Sequence, residues 1–164
     1  MVRRAKGFTL IELMVTIAVL SILMMAGIPL TQGWVNSAHQ RDAASVMQQG
    51  IARAKAVALR NPAGVAGTDK AAVLLCRSDA TLVLVRPENS QKALDCAQSA
   101  DAQVLWSGTL PKQVDIVANN KRFLCLALDN QALPVKSDQA HTECSTANPV
   151  VKIGREDDLP INVI

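Results

Sequence analysis

The sequence predicts an α+β fold in which one long N-terminal helix, with its first half embedded in a membrane, packs on an antiparallel β-sheet domain. Three observations predict this fold. Residues 8–30 are almost entirely apolar, residues 43–58 place small and apolar side chains at helical spacing, and short β-type runs separated by turn residues follow position 62. A single membrane segment and one small domain account for the 164 residues of the chain.

The first element is the apolar segment from Phe8 to Leu30, in which Glu12 is the only ionisable side chain. At a rise of about 1.5 Å per residue, this segment is long enough to cross a bilayer. An ionised carboxylate inside hydrocarbon costs at least about 2.5–3.5 kcal/mol, so we expect Glu12 to have a functional partner. The basic residues 3, 4 and 6 before the segment predict a cytoplasmic N-terminus.

The helix is predicted to continue to about Arg60 and to end at Asn61-Pro62. Pro29 removes an intrahelical hydrogen bond and predicts a kink at residues 23–25. Small and apolar residues on one face predict close contact with a sheet; they are Ala43, Val46, Met47, Gly50, Ala54, Val57 and Ala58.

The remainder of the chain is predicted to form strands. The runs 72–76 and 81–85 flank a turn at 77–80 and form a hairpin, and their nearly continuous apolar character predicts burial on both faces. Further strands are predicted at 103–106, 114–118, 123–128, 150–153 and 161–164. The polar segment 88–102 is interpreted as a surface excursion held by Cys96.

Four cysteines, Cys76, Cys96, Cys125 and Cys144, lie in the part that the charge pattern places outside the cytoplasm, where disulfides form. Their spacing favours bonds between Cys76 and Cys96 and between Cys125 and Cys144, although four cysteines allow three pairings. The sequence contains no C-x-x-C pair, and His141 with Cys144 is a single ligand-like pair. We therefore expect no metal and no cofactor.

The run Gly7-Phe8-Thr9-Leu10-Ile11-Glu12, preceded by basic residues, resembles the processing site of type IV prepilins and pseudopilins. The resemblance implies a leader peptide at residues 1–7, cut after Gly7 by a prepilin peptidase, and N-methylation of the new Phe8 amine by a methyltransferase. It also implies that residues 8–30 form the transmembrane and assembly half of the helix and that residues 31–164 form a periplasmic, pilin-like domain. In filament assembly Glu12 would neutralise a Phe8 amine, within one molecule or between neighbours.

Two other interpretations of the apolar segment remain. One is an ordinary secretory signal peptide cleaved near Ala26-Gly27, and the other is a plain signal anchor. A carboxylate inside the apolar run is unusual for a signal peptide, and the run exceeds the usual length of about 7–15 residues.

The run 52–62, ARAKAVALRNP, followed by a strand with Cys76 and by Leu105-Trp106-Ser107-Gly108, resembles the FimT, FimU and GspH branch of minor pilins and pseudopilins. This branch implies a low-abundance subunit that helps to initiate a filament or lies near its tip. Its partners would be other minor and major pilins and the inner-membrane assembly platform. The protein would cross the inner membrane once before assembly and reach the cell surface in the pilus. Trp106 would be a core anchor of the sheet or a recognition residue.

DNA binding is not expected. One relative in that branch binds DNA through a C-terminal Gly-Arg-x-Arg motif, whereas this chain has Gly154-Arg155-Glu156-Asp157-Asp158, in which three carboxylates would repel phosphates. The leader holds three of the 17 Lys and Arg residues, so the remaining 14 balance the 14 Asp and Glu residues and the mature chain is near neutral.

His39 and His141 belong to no recognisable nucleophile arrangement, so the chain is not expected to be an enzyme. The sequence predicts a minor pilin of a type IV pilus. The alternatives are a GspH-like pseudopilin of type II secretion and a FimT-like, DNA-binding minor pilin for natural transformation.

Overall fold

The structure is a computed structural model that describes residues 7–90, 94, 96, 102–136, 144–154 and 156–164. Within these residues, one helix and eight strands follow each other along the chain: α1 (Leu10–Arg60), β1 (Val73–Ser78), β2 (Thr81–Pro87), β3 (Ala102–Thr109), β4 (Asp115–Ala118), β5 (Lys121–Arg122), β6 (Cys125–Leu128), β7 (Val150–Lys152) and β8 (Leu159–Pro160). The chain divides into two compact units between Val35 and Asn36, and each contains part of α1.

Helix α1 ends where the sequence predicts. Asn61 adopts the left-handed conformation with φ of 42°, and its N–H donates to the carbonyl of Val57 at 3.0 Å. The Asn61 side chain then donates to the carbonyl of Val65 and accepts from its N–H, both at 2.8 Å. This arrangement satisfies groups that a helix end leaves without partners. The helix contains Gly27 and Pro29 without interruption, and the expected kink stays a prediction.

The strands form two four-stranded sheets, in which every pair of neighbours is antiparallel. The first sheet has the order β3-β2-β1-β6 and the second has the order β5-β4-β7-β8. The predicted hairpin is β1–β2, with Ser78 paired to Thr81 and a two-residue turn in which Asp79 has φ of 49°. The predicted α+β, pilin-like fold is therefore confirmed: a long N-terminal helix packs on antiparallel sheets.

Two details of the strand prediction were wrong. Strand β5 was not predicted, although Asn119 and Asn120, with φ of 52° and 59°, form the type of two-residue turn that joins hairpin strands. The strand predicted at 161–164 is instead β8, at Leu159–Pro160. Alternate residues after β8 are buried as in a strand, but the N–H of Val163 bonds to the side chain of Asn148 rather than to a neighbouring strand.

The core has two parts, one on each face of the first sheet. The inner core lies between α1 and both sheets, and includes Ala43, Met47, Ala54, Ala58, Val73, Leu75, Leu82, Leu84, Ile116, Phe123 and Val151. The outer core lies on the opposite face of the first sheet, and includes Leu74, Cys76, Val83, Val85, Leu94, Cys125, Ala127 and Cys144. The predicted burial of β1 and β2 on both faces is thus confirmed. Most of the predicted excursion 88–102 lies outside the described residues, but Leu94 within it is buried.

Arg77 links the two sheets. Its side chain is only 7% exposed, and its guanidinium donates to the carbonyls of Asp79 at 3.0 Å, Val114 at 3.3 Å and Ile116 at 3.4 Å. Burial lowers the pKa of Arg77 below its ordinary value, and the positive charge of Arg122 lowers it further, while Asp115 and Asp79 oppose the shift. The arginine thus gives three carbonyl oxygens a donor at the junction of the sheets.

Candidate functional site

The predicted cleavage site lies in an exposed segment before the helix. Gly7, Phe8 and Thr9 are outside α1, and the Phe8 side chain is 80% exposed. A Cβ added at Gly7 would meet no atom of the described residues within 4 Å. The bond after Gly7 is therefore accessible, and a larger residue at position 7 would fit this chain without a clash.

The helix begins at Leu10, two residues after the predicted start. The carbonyl of Thr9 accepts from the N–H of Leu13 at 3.2 Å, and its hydroxyl oxygen accepts from the N–H of Glu12 at 3.4 Å. Thr9 is thus the N-cap and Glu12 is the third helical residue, the Thr-x-x-Glu spacing of a capping box. The role of Thr9 was not predicted from the sequence, although the Thr-x-x-Glu spacing indicates it. A carboxylate in the first helical turn also interacts favourably with the partial positive charge at the N-terminus of the helix.

The first turns of α1 carry apolar side chains on all sides. Thr16 and Ser21 donate their hydroxyl protons to the carbonyls of Leu13 and Ile17, both at 2.8 Å, so their polar groups are satisfied within the helix. The exposed apolar side chains are Leu10, Ile11, Leu13, Met14, Val15, Ile17, Val19, Leu20, Ile22, Leu23, Met24 and Met25. A helix that is apolar all round is normally covered by lipid or by other protein.

No helix among the residues that the structure describes combines the length and the apolar character that a membrane crossing requires.

Two disulfides join the outer core to its flanking segments. They connect Cys76 with Cys96 and Cys125 with Cys144, and no other cysteine is present in the sequence. This is the pairing that the spacing favours. Because the bonded sulfurs lie on the face of the first sheet opposite α1, the disulfides hold the segments of Cys96 and Cys144 against that face.

Trp106 is a half-buried residue of β3 that packs against the inner core. The Arg53 guanidinium carbon lies 5.2 Å from the centroid of its ring, within the range of a cation–π contact. A Cβ added at Gly50 of α1 would lie 2.9 Å from the ring, so the ring approaches the helix backbone closely. These contacts support the interpretation of Trp106 as an anchor between helix and sheet.

The described residues around Gly154 form a turn. Gly154 has φ of 53°, and the N–H of Glu156 donates to the carbonyl of Ile153 at 3.0 Å. Two of the acidic side chains that follow have partners: Ser37 donates to Glu156 at 3.2 Å, and Lys152 pairs with Asp158 at 2.6 Å. Arg155 and His141 lie outside the described residues.

The buried side chain of Gln40 ties α1 to this turn. Its amide donates to the carbonyl of Val151 at 3.0 Å and to the carbonyl of Asp157 at 2.7 Å. The segment after β7 is therefore fixed to the helix through backbone groups, which leaves the Asp157 carboxylate outside these contacts.

Residues 2–28 match a family described as the prokaryotic N-terminal methylation motif. This match supports a type IV pilin-like protein. It includes the whole GFTLIE run and most of the exposed apolar part of α1. A pilin motif of this kind implies contact with other pilins and with a prepilin peptidase. Comparisons with curated proteins and with solved structures found no match.

Proposed function

We propose that this chain is a minor pilin of a type IV pilus, which joins the filament in its priming or tip complex. One observation carries the proposal: the methylation motif of residues 2–28 coincides with a helix start whose apolar side chains are exposed all round. Such a surface suits a subunit that leaves one apolar environment, the membrane, for another, the packed helices of a filament.

Maturation would begin at the exposed segment before α1. A prepilin peptidase removes residues 1–7, and a methyltransferase modifies the amine of Phe8. The accessibility of Gly7 and the absence of helix at Phe8 and Thr9 support this step, because a peptidase must bind its substrate in a non-helical conformation. Residues 8–30 then form the transmembrane and assembly half of the helix, and residues 31–164 form the periplasmic domain.

Glu12 would guide assembly through charge neutralisation. The new ammonium group at Phe8 and the carboxylate at Glu12 are each costly to bury alone, but a pair of opposite charges reduces that cost. A neighbouring subunit can supply the ammonium group across a helix contact. The ion pair then stabilises the correct axial position of the incoming subunit, whereas other positions leave a buried charge without a partner. Glu12 lies in the first turn of the helix and is exposed, so its side chain is available for this contact.

The disulfides and the charge pattern support the proposed compartment. Two disulfides form readily in the periplasm and rarely in the cytoplasm. The basic residues before the apolar segment favour a cytoplasmic N-terminus, which supports a periplasmic location for residues 31–164. The protein is therefore held in the inner membrane before assembly and is found at the cell surface in the pilus afterwards.

The proposal is tested by deleting the gene in its own host. The number of surface pili should fall, export of type II secretion substrates should be unchanged, and the wild-type gene should restore piliation. Loss of secretion with normal pili would assign the chain to a type II pseudopilus instead. Normal pili and normal secretion, with loss of DNA uptake alone, would identify a DNA receptor.

A further inference from the structure

The two disulfides are not independent, because their buried cysteines are direct neighbours. Cys76 of β1 is paired with Cys125 of β6 in the register of the first sheet. Both side chains belong to the outer core, together with their bonded partners Cys96 and Cys144. All four sulfur atoms therefore lie on one face of one sheet.

The pairing of Cys76 with Cys125 has the geometry that a direct bond needs. The next pair along the two strands is Arg77 and Leu124. This pair is hydrogen-bonded, since the N–H of Arg77 donates to the carbonyl of Leu124 at 2.8 Å. The carbonyl of Cys125 instead accepts from the N–H of Ser145 at 2.9 Å, on the other edge of β6. Hydrogen-bonded and non-hydrogen-bonded pairs alternate along an antiparallel ladder, so Cys76 and Cys125 form a non-hydrogen-bonded pair. The Cα atoms of such pairs lie about 4.5 Å apart, within the range of roughly 4.4–6.8 Å that disulfides span.

We infer that the four cysteines form a single disulfide-exchange centre, in which opening either native bond allows Cys76 and Cys125 to bond directly across the strands. The exchange starts at Cys96, which is half-buried, whereas the other three cysteines are buried. The partner is a thiol of the glutathione class or a dithiol oxidoreductase.

The exchange conserves atoms and electrons. The external thiolate attacks Sγ of Cys96 and forms a mixed disulfide, and Cys76 leaves as a thiolate. The Cys76 thiolate then attacks Sγ of Cys125, the Cys76–Cys125 bond forms, and Cys144 leaves as a thiolate. Two disulfides and one thiolate are present before and after the two steps, so no net oxidant is consumed.

The consequence is that the attachments of two separate segments are coupled. Attack at Cys96 breaks the covalent attachment of Cys144 to β6, although the external thiol never reaches Cys144. In a model with two independent disulfides, attack at Cys96 would leave the Cys125–Cys144 bond intact.

Two variants of the full chain in detergent test the inference from opposite sides. In Cys96→Ala the Cys76 thiol faces the Cys125–Cys144 bond, and in Cys144→Ala the Cys125 thiol faces the Cys76–Cys96 bond. After incubation at mildly alkaline pH with a trace of glutathione, followed by alkylation, both variants should yield the same Cys76–Cys125 peptide. The released thiol should be Cys144 in the first variant and Cys96 in the second.

The control is Cys76→Ala, which leaves one free thiol at Cys96 and removes the cross-strand pair. Its Cys125–Cys144 bond should persist, and alkylation should label Cys96 alone. A Cys96–Cys144 or Cys96–Cys125 bond in this control would indicate general scrambling and would overturn the inference.

The wild-type chain provides a measurement that does not depend on a variant folding correctly. Treatment with limiting glutathione and rapid alkylation should give a species with a mixed disulfide at Cys96, a Cys76–Cys125 bond and an alkylated Cys144. Partially opened wild-type protein that contains only Cys125–Cys144 with alkylated Cys76, at every time point, would show that the two bonds are independent.

Discussion

The indole ring of Trp106 occupies the space that a side chain at Gly108 would need. A Cβ added at Gly108 would lie 2.6 Å from two ring atoms of Trp106 and 2.8 Å from a methyl carbon of Val46. The first distance is shorter than any contact that packed carbon atoms adopt, and the ring cannot withdraw easily because it also approaches Gly50 of α1. Gly108 is therefore required by the contact between β3 and the helix.

Gly108→Ala should lower the free energy of unfolding by about 1–3 kcal/mol, the usual cost of overpacking a tight site. Urea unfolding followed by circular dichroism measures the change. Ser107→Ala is the control, because Ser107 is an exposed neighbour on the same strand and should leave stability nearly unchanged. Equal stability of the two variants would show that the Trp106 side chain can adopt another conformation that avoids the added Cβ.

Arg77→Met should destabilise the domain by about 1–3 kcal/mol, because it removes the guanidinium that donates to the carbonyl of Val114 in a buried position, whereas the carbonyl of Ile116 keeps the N–H of Phe123 as a donor at 2.8 Å. The same unfolding experiment applies. Arg122→Met is the matched control. Arg122 is exposed and its positive charge repels that of Arg77, so its removal should change the free energy of unfolding little. Similar losses in both variants would contradict a specific role for the buried arginine.

Gly7→Leu should prevent processing, so that the protein isolated from cells keeps residues 1–7. The chain itself has room for a side chain at this position, so a block would arise in the peptidase and not from misfolding. Gly27→Leu makes the same change at another glycine with open surroundings, and its mature N-terminus should be a methylated Phe8. Mass spectrometry of the N-terminal peptide measures both. Mature wild-type protein that begins near Gly27 would instead establish a conventional signal peptide.

Glu12→Ala should separate membrane insertion from assembly. The segment becomes more apolar, so insertion should persist, while the neutralising contact in the filament is lost. The N–H of residue 12 can still bond to Thr9, and the loss of the carboxylate from the first turn should cost the helix only about 0.3–1 kcal/mol.

The measurement for Glu12→Ala compares the amount of the subunit in the membrane fraction with that in shed pili. Thr16→Ala is the control, since it removes a polar group one turn further along, whose hydroxyl donates to the carbonyl of Leu13 in the same helix. Recruitment of the Glu12 variant at the wild-type level would exclude the assigned role.

The sequence predicted the elements with strong periodicity and missed those set by single contacts. The small residues Ala43, Ala54 and Ala58 identified the buried face of α1, and the apolar runs identified β1 and β2. Both predictions were possible because the apolar character and the spacing of side chains indicate which of them are buried. The separation of the strands into two sheets was not predicted, since it depends on which edges meet.

The features of the candidate site also fall into two groups, those that a local sequence pattern predicts and those that depend on tertiary structure. The residues Gly7, Phe8 and Glu12 form a short linear motif, so predicting their roles needed no tertiary structure. The neighbourhood of Cys76 and Cys125, and the place of Arg77 between the sheets, depend on strand register and on a carbonyl cluster that no local pattern specifies.

A fragment beginning near Trp34 should bind duplex DNA weakly or not at all at moderate salt. Phosphate contacts need cations, and the one arginine of the C-terminal motif is followed directly by Glu156, Asp157 and Asp158. Lys152, a nearby cation on β7, is already paired with Asp158 at 2.6 Å. Binding is measured by fluorescence anisotropy with labelled duplex over a series of salt concentrations.

Local charge, rather than net charge, should control any residual affinity of this fragment for DNA. Glu156→Gln combined with Asp157→Lys should raise the affinity, because Gln40 holds this segment through the backbone carbonyl of Asp157 and the exchange leaves that bond intact. Asp42→Lys combined with Asp69→Asn makes the same change in net charge at exposed positions elsewhere, and should raise the affinity less. Tight binding by the unmodified fragment, with a steep loss of affinity in salt and silencing by Arg155→Ala, would replace the assembly role with a DNA receptor. Contacts with other pilin subunits through the helix and sheet should tolerate salt better than phosphate contacts, because they depend on apolar area and close packing.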